Sequence, residues 1–108
     1  MAKLERTLNG DFDRILELIE DGILHGSVSA SLEDSSDFYS SEARCSVRVF
    51  ERYSVLGNNR VSLNVTLFQG GDGIIRLSAI SSGGSQAVFF KINTFGEEAF
   101  LDKLDELL

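Results

Sequence analysis

The stretch that decides the fold runs from Glu42 to Ile80 and reads EARCSVRVFERYSVLGNNRVSLNVTLFQGGDGIIRLSAI. Apolar and polar residues alternate along three segments of it, and glycine-containing turns separate the segments. Eleven apolar residues of these segments occupy odd positions: Ala43, Cys45, Val47, Val49, Val61, Leu63, Val65, Leu67, Ile75, Leu77 and Ala79. Because successive side chains of a strand point to opposite faces, the pattern predicts three antiparallel strands with one apolar and one polar face.

Two hairpin turns set the predicted register of these strands. Both contain residues that tolerate a positive φ, namely Gly57-Asn58-Asn59 and Gly70-Gly71-Asp72-Gly73. If odd residues stay on one face through both turns, Tyr53 pairs with Val61. By the same rule Leu67 pairs with Ile75. This register predicts that every even-numbered side chain from residue 44 to residue 80 points away from the helical layer.

The polar face is the candidate functional surface. In the predicted register Arg48, Thr66 and Arg76 form one row, with the two arginines about 10 Å apart at the backbone. The candidate ligand-binding or interface residues on this face are Arg48, Thr66, Arg76, Arg52, Phe50 and Phe68. Three interpretations remain open: a solvated face, self-association through its apolar groups, or a site for a small anionic or amphipathic ligand held by arginine.

The N-terminal segments predict an edge strand and an amphipathic helix. Lys3–Leu8 is the strand candidate, and Asp11 is suited to cap a helix over residues 11–24. The helical spacing is carried by Phe12, Ile15, Leu16, Ile19 and Ile23. Ser27–Leu32 alternates like a strand, whereas the serine and aspartate content of Glu33–Ser41 predicts an exposed loop.

The C-terminal segments predict one more strand and a second helix. Ala87–Ile92 is apolar on both faces, which favours an interior or covered strand. Thr94 and Glu97 fit a capping box, in which the two side chains bond to each other's backbone amides. The helix that follows would present one apolar stripe: Phe100, Leu101, Leu104, Leu107 and Leu108.

These elements predict one α+β domain over residues 1–108. It would have two layers, an antiparallel sheet of about five strands with two helices on one face, in the order β-α-β-β-β-β(-β)-α. This order resembles the TATA-binding-protein-like fold and half of a helix-grip fold. As text, Gly26–Asp34, Arg48–Tyr53 and Phe89–Thr94 resemble a family of small uncharacterised bacterial proteins, a domain of unknown function. The resemblance implies no activity, substrate or catalytic residue.

Composition and motifs exclude several classes of function. The formal net charge of −7 argues against a nucleic-acid partner, and no apolar run approaches the roughly 20 residues of a membrane span. The N-terminus lacks the apolar core of a secretory signal, so we expect a cytoplasmic protein. His25 and Cys45 are the only residues of their kinds, too few for a zinc site and far apart in sequence for a Cys–His pair. We therefore expect no cofactor, no metal and no catalysis.

The sequence thus predicts a non-catalytic binding or assembly module. Its partners would be a second copy of itself, as a dimer or larger oligomer, or a small anionic or amphipathic ligand. The alternative is a small enzyme whose active site forms at an oligomer interface. A strongly perturbed titratable group in a cleft would favour the enzyme.

Overall fold

A computed structural model describes residues 2–26, 29–54 and 59–83. This part of the chain forms one helix and five strands. In chain order they are β1 (Ala2–Leu8), α1 (Phe12–Gly26), β2 (Ser31–Tyr39), β3 (Arg44–Ser54), β4 (Asn59–Gln69) and β5 (Ile75–Gly83). All neighbouring strands are antiparallel, and the sheet order is β1-β5-β4-β3-β2. The helix therefore connects the two strands at opposite edges of the described sheet.

The predicted helix and its cap are confirmed. Asp11 Oδ2 accepts a hydrogen bond of 2.9 Å from the backbone N–H of Arg14, and the Asp11 carbonyl accepts one from Ile15. These bonds satisfy amides that have no partner in the first turn of a helix. The buried side of α1 consists of Phe12, Ile15, Ile19 and Ile23. β1 is also confirmed as an edge strand of the described sheet, paired to β5.

The core lies between α1 and one face of the sheet, which we call the helix face. Its sheet residues come from four strands and are Leu4, Phe50, Val65, Leu67, Ile75, Leu77 and Ala79. Phe50 and Leu67 are at most 1 % exposed. Burial of these apolar side chains supplies the main driving force for packing helix on sheet. The opposite side of the sheet is the far face.

The predicted fold class is wrong in its helix count and its order of elements. The described residues contain a single helix, and the fifth strand is already reached at Ile75–Gly83, giving the order β-α-β-β-β-β. The predicted strand Ala87–Ile92 and the predicted helix after Thr94 lie outside the described residues.

The predicted loop Glu33–Ser41 is another correction, because β2 covers most of it. All nine residues of β2 are exposed. An edge strand that shows both faces to solvent gains little from apolar side chains, so its composition resembles that of a loop. Its backbone pairing with β3 stabilises the extended conformation instead.

The register of the first hairpin is the correction with the largest consequences. Tyr53 pairs with Arg60 instead of Val61, so even residues of β3 lie beside odd residues of β4. The second hairpin also differs, since Leu67 pairs with Leu77, but a shift of two residues leaves the faces unchanged. Gly73, with a φ of 77°, serves this turn as expected, and its N–H donates to the Gly70 carbonyl. Only β3 is therefore turned over relative to the prediction.

Candidate functional site

The six candidate residues are divided between the two faces of the sheet. Arg48, Phe50 and Arg52 pair with Val65, Leu63 and Val61, which places them on the helix face. Thr66, Phe68 and Arg76 lie on the far face, where Phe68 and Arg76 are neighbours. The single row of Arg48, Thr66 and Arg76 is therefore wrong. The two guanidinium groups cannot converge on one anion above Thr66.

Arg48 lies in a cluster of polar side chains between α1, β2 and β3. It is 8 % exposed. Its Nε donates to Glu20 Oε1 at 2.6 Å, and one terminal nitrogen donates to Asp37 Oδ1 at 3.1 Å. The same nitrogen also donates to the backbone carbonyls of Val47 and Ser36. Ser46 completes the cluster, since its hydroxyl donates to Asp37 Oδ1 at 2.6 Å.

The electrostatics of this cluster favour its charged form. The hydrogen bond from Ser46 and the one from Arg48 hold the pKa of Asp37 below its usual value. Burial by itself would lower the pKa of Arg48, but the bonds to Glu20 and Asp37 outweigh burial and raise it. The guanidinium is thus a structural cation that already has its anions. It is not a free site for an anionic ligand.

A second arginine, Arg44, contacts the helix near its N-terminus. Its terminal nitrogen lies 2.9 Å from Asp13 Oδ1, and its guanidinium carbon lies 3.9 Å from the centre of the Phe12 ring. The Tyr39 ring is 5.0 Å away on another side. The bond to Asp13 raises the pKa of Arg44 against the effect of burial. Together the contacts of Arg44 and Arg48 with α1 stabilise the packing of the helix on the β2–β3 side of the sheet.

The far face carries an apolar patch, and the sequence pattern had assigned all of its members except Phe68 to the core. Because β3 is turned over, its apolar odd residues lie on this face beside Phe68 of β4. We define the far-face patch as Cys45, Val47, Val49 and Phe68. Phe38 of β2 borders it beside Cys45, and Ile80 of β5 lies beyond Asn64. Phe38, Phe68 and Ile80 are 64 %, 40 % and 39 % exposed.

The cations of the far face are each close to a carboxylate. Lys3 lies 2.9 Å from Glu5, Arg60 lies 2.8 Å from Glu51, and Arg76 lies 3.2 Å from Asp72. Asp72 also accepts a bond from the Ile74 N–H, and this bond, with that of Arg76, lowers its pKa. The far face is therefore largely neutral, although the whole chain is acidic.

Candidate catalytic and metal-binding residues are not brought together. His25 Nδ1 contacts the Asp21 carbonyl at the end of α1, whereas Cys45 is half-buried on the far face. In residues 2–26, 29–54 and 59–83 no group of three or more His, Cys, Asp or Glu side chains could hold a metal ion. No helix within these same ranges has the length and hydropathy required to cross a bilayer.

Sequence reasoning placed Phe68 on the far face but missed Cys45, Val47 and Val49 there, and it missed the partners of Arg48. The parity rule assigned the odd-numbered apolar residues of β3 to the core. Phe50, the largest apolar residue of that strand, is the exception, because it occupies an even position and was assigned to the polar face. That exception was the available signal. It pointed to a strand whose two faces are both partly apolar, and such a strand can pack on either side.

A family model described as "Family of unknown function (DUF6054)" matches residues 1–108. The hypothetical protein jhp0584 from Helicobacter pylori has a similar fold, with a TM-score of 0.52, 10 % identity and coverage of 94 % of this chain and 83 % of that one. TTHA0849 from Thermus thermophilus aligns over 98 % and 94 % of the two chains at 10 % identity, with a TM-score of 0.27. No curated protein matches the sequence. The expected membership of a family without known function is thus confirmed, whereas the TATA-binding-protein-like topology and a bacterial origin stay predictions.

Proposed function

The chain belongs to the DUF6054 family, whose function is unknown, and from the geometry of its sheet we propose that it is a non-catalytic assembly module. In this proposal two copies associate through their far faces. The single observation that supports it is the far-face patch, where Val47 and Val49 are half-buried and Phe68 is 40 % exposed. Monomeric soluble proteins rarely leave a contiguous apolar patch of this kind open to water.

The size of the far face suits a second copy of the chain. Five strands, with lengths of nine residues in β2 and β5, present a face of roughly 24 by 30 Å, or about 700 Å². A standard specific interface buries about 800 Å² on each partner. Aligned packing of two sheets at about 10 Å is a common way to bury such a face.

The charge distribution also favours a second copy over an anionic ligand. The far-face cations are paired with nearby carboxylates, as for Arg76 with Asp72 of the turn between β4 and β5. Two copies can therefore approach without strong repulsion between like charges. An anion would have to displace such a carboxylate, and Arg48, the other arginine expected to bind it, is held by Glu20 on the helix face.

The test compares two variants by sedimentation velocity over a range of protein concentrations. Val47→Thr combined with Phe68→Ser removes apolar groups from the far-face patch and should shift the wild-type dimer to monomer. The matched control is Leu32→Ser, because Leu32 is also 40 % exposed but pairs with Phe50 on the helix face. The control should leave the dimer intact.

Native mass spectrometry of the wild-type protein separates the possible occupants of the far face. A dimer mass supports the proposal. A monomer mass with a bound amphipathic molecule overturns it in favour of ligand binding. A bare monomer at every concentration, or a dimer that persists in the Val47→Thr/Phe68→Ser variant, also overturns it.

A further inference from the structure

The outer edge of β2 is a second surface of the molecule, distinct from the far face. β2 pairs with β3 along one side and stands at the end of the sheet. In the described part of the chain no strand pairs with its other side. Among the described residues, the backbone N–H and C=O groups along that side can pair with an incoming strand, although the Ser35 N–H already donates to Asp34 Oδ1 at 2.8 Å. This inference does not depend on the proposed assembly through the far face.

Natural proteins usually protect such an edge. β2 has a bulge at one end and three carboxylates, which disfavour incoming strands that are not basic. The pairing with β3 shifts between Leu32 and Asp34, so a bulge at Glu33 interrupts the first part of the strand. From Asp34 to Tyr39 the register is regular over six residues. The strand contains neither proline nor lysine, the residues that most often protect an edge.

The charge of β2 disfavours a second copy as the incoming strand. The strand carries Glu33, Asp34 and Asp37 and has no basic residue. Antiparallel pairing of two copies about Ser35 would place Glu33 of each opposite Asp37 of the other. If this pairing is shifted by one residue, Asp34 of each copy lies opposite Asp37 of the other. Like charges directly opposite each other destabilise a strand pair.

We propose that the outer edge of β2 binds an extended, lysine- or arginine-containing segment of a partner protein by strand addition. Backbone hydrogen bonds to residues 34–39 supply affinity in this mode, and the carboxylates of Glu33 and Asp34 select a basic segment. Phe38 and Tyr39 anchor it from the two faces of the sheet, since they are 64 % and 68 % exposed at adjacent positions. Large exposed aromatic residues are frequent energetic centres of interfaces.

The test uses a capped nine-residue peptide of alternating lysine and valine as the probe, with binding measured by isothermal titration calorimetry. The variant Glu33→Lys/Asp34→Lys should weaken binding by about tenfold or more, because it replaces attraction with repulsion at two positions. The same variant should bind a glutamate–valine peptide better than the wild-type protein does. Amide exchange should show new protection within residues 34–39.

The matched control is Glu17→Lys/Asp21→Lys, which changes the net charge by the same amount on the exposed side of α1. It should change the affinity for the lysine–valine peptide by no more than about twofold, since long-range charge effects are screened by salt. Equal losses in the two variants would mean attraction to overall charge and overturn the proposal. Failure of the wild-type protein to bind the probe, or protection of amides outside β2, would overturn it as well.

Discussion

Arg48 of β3 and Glu20 of α1 are joined by a hydrogen bond of 2.6 Å across the two layers of the fold. The apolar core packs α1 mainly against β4 and β5, which contribute most of its sheet residues, whereas β1 and β3 contribute Leu4 and Phe50. The Arg48–Glu20 bond lies toward the other side, next to β2. The helix is thus held by apolar contacts on one side and by an ionic contact on the other.

We expect the cluster to tolerate loss of the cation better than loss of its anions. Glu20→Gln with Asp37→Asn leaves a nearly buried guanidinium without a charged partner and should lower the free energy of unfolding by about 2–4 kcal/mol. Arg48→Met fills similar space with apolar atoms and leaves two carboxylates that reach solvent. This variant should therefore lose less free energy of unfolding than the double variant. Urea denaturation measures both. An Arg48→Met variant less stable than the double variant would contradict this account.

The lowered pKa of Asp37 predicts acid sensitivity. A carboxyl group whose pKa is lower in the folded than in the unfolded protein stabilises the fold above its ordinary value of 3.8 and loses that effect as the pH falls further. Asp37→Asn should therefore flatten the decline of the melting temperature below about pH 4. Asp21→Asn, on the exposed side of α1, should keep the wild-type decline. If the melting temperatures of Asp37→Asn and the wild-type protein decline equally with falling pH, the cluster does not contribute to the acid sensitivity.

Phe50 and Phe68 should respond very differently to the same substitution. Phe50 is 1 % exposed within the core, so Phe50→Ser should destabilise by about 3–5 kcal/mol. Phe68 lies on the far face, so Phe68→Ser should lower the free energy of unfolding of the monomer by about 1 kcal/mol or less. The same substitution should weaken association of the two copies. Thermal melting at low protein concentration separates the two effects. Similar losses of stability in both variants would place Phe68 in the core.

The N-cap of α1 should contribute measurably to stability. Asp11→Ala removes the acceptor for the Arg14 N–H and should lower the free energy of unfolding by about 1 kcal/mol. Asp11→Ser keeps an acceptor oxygen and should recover most of this loss. If alanine and serine at this position give the same stability in chemical denaturation, the cap has no energetic role.

The local elements of the fold were predictable because their signals are local. Helical spacing and a capping aspartate specify α1 without help from distant residues. Likewise, β4 and β5 have apolar residues at odd positions and polar or exposed ones between them, so the face they bury is evident. The glycines between these two strands indicated the hairpin that the structure contains.

Two features were decided by the tertiary structure alone. β2 is extended because β3 supplies its backbone hydrogen bonds. Its sequence lacks the alternation of apolar and polar residues that would have indicated a strand. The face that β3 buries depends on its register with β4, where Ser54 pairs with Asn59. Changing that register by one residue would exchange its two faces. Both faces of β3 contain apolar groups, and Glu20 approaches Arg48 only when α1 is docked, so alternation in the sequence could not choose between them.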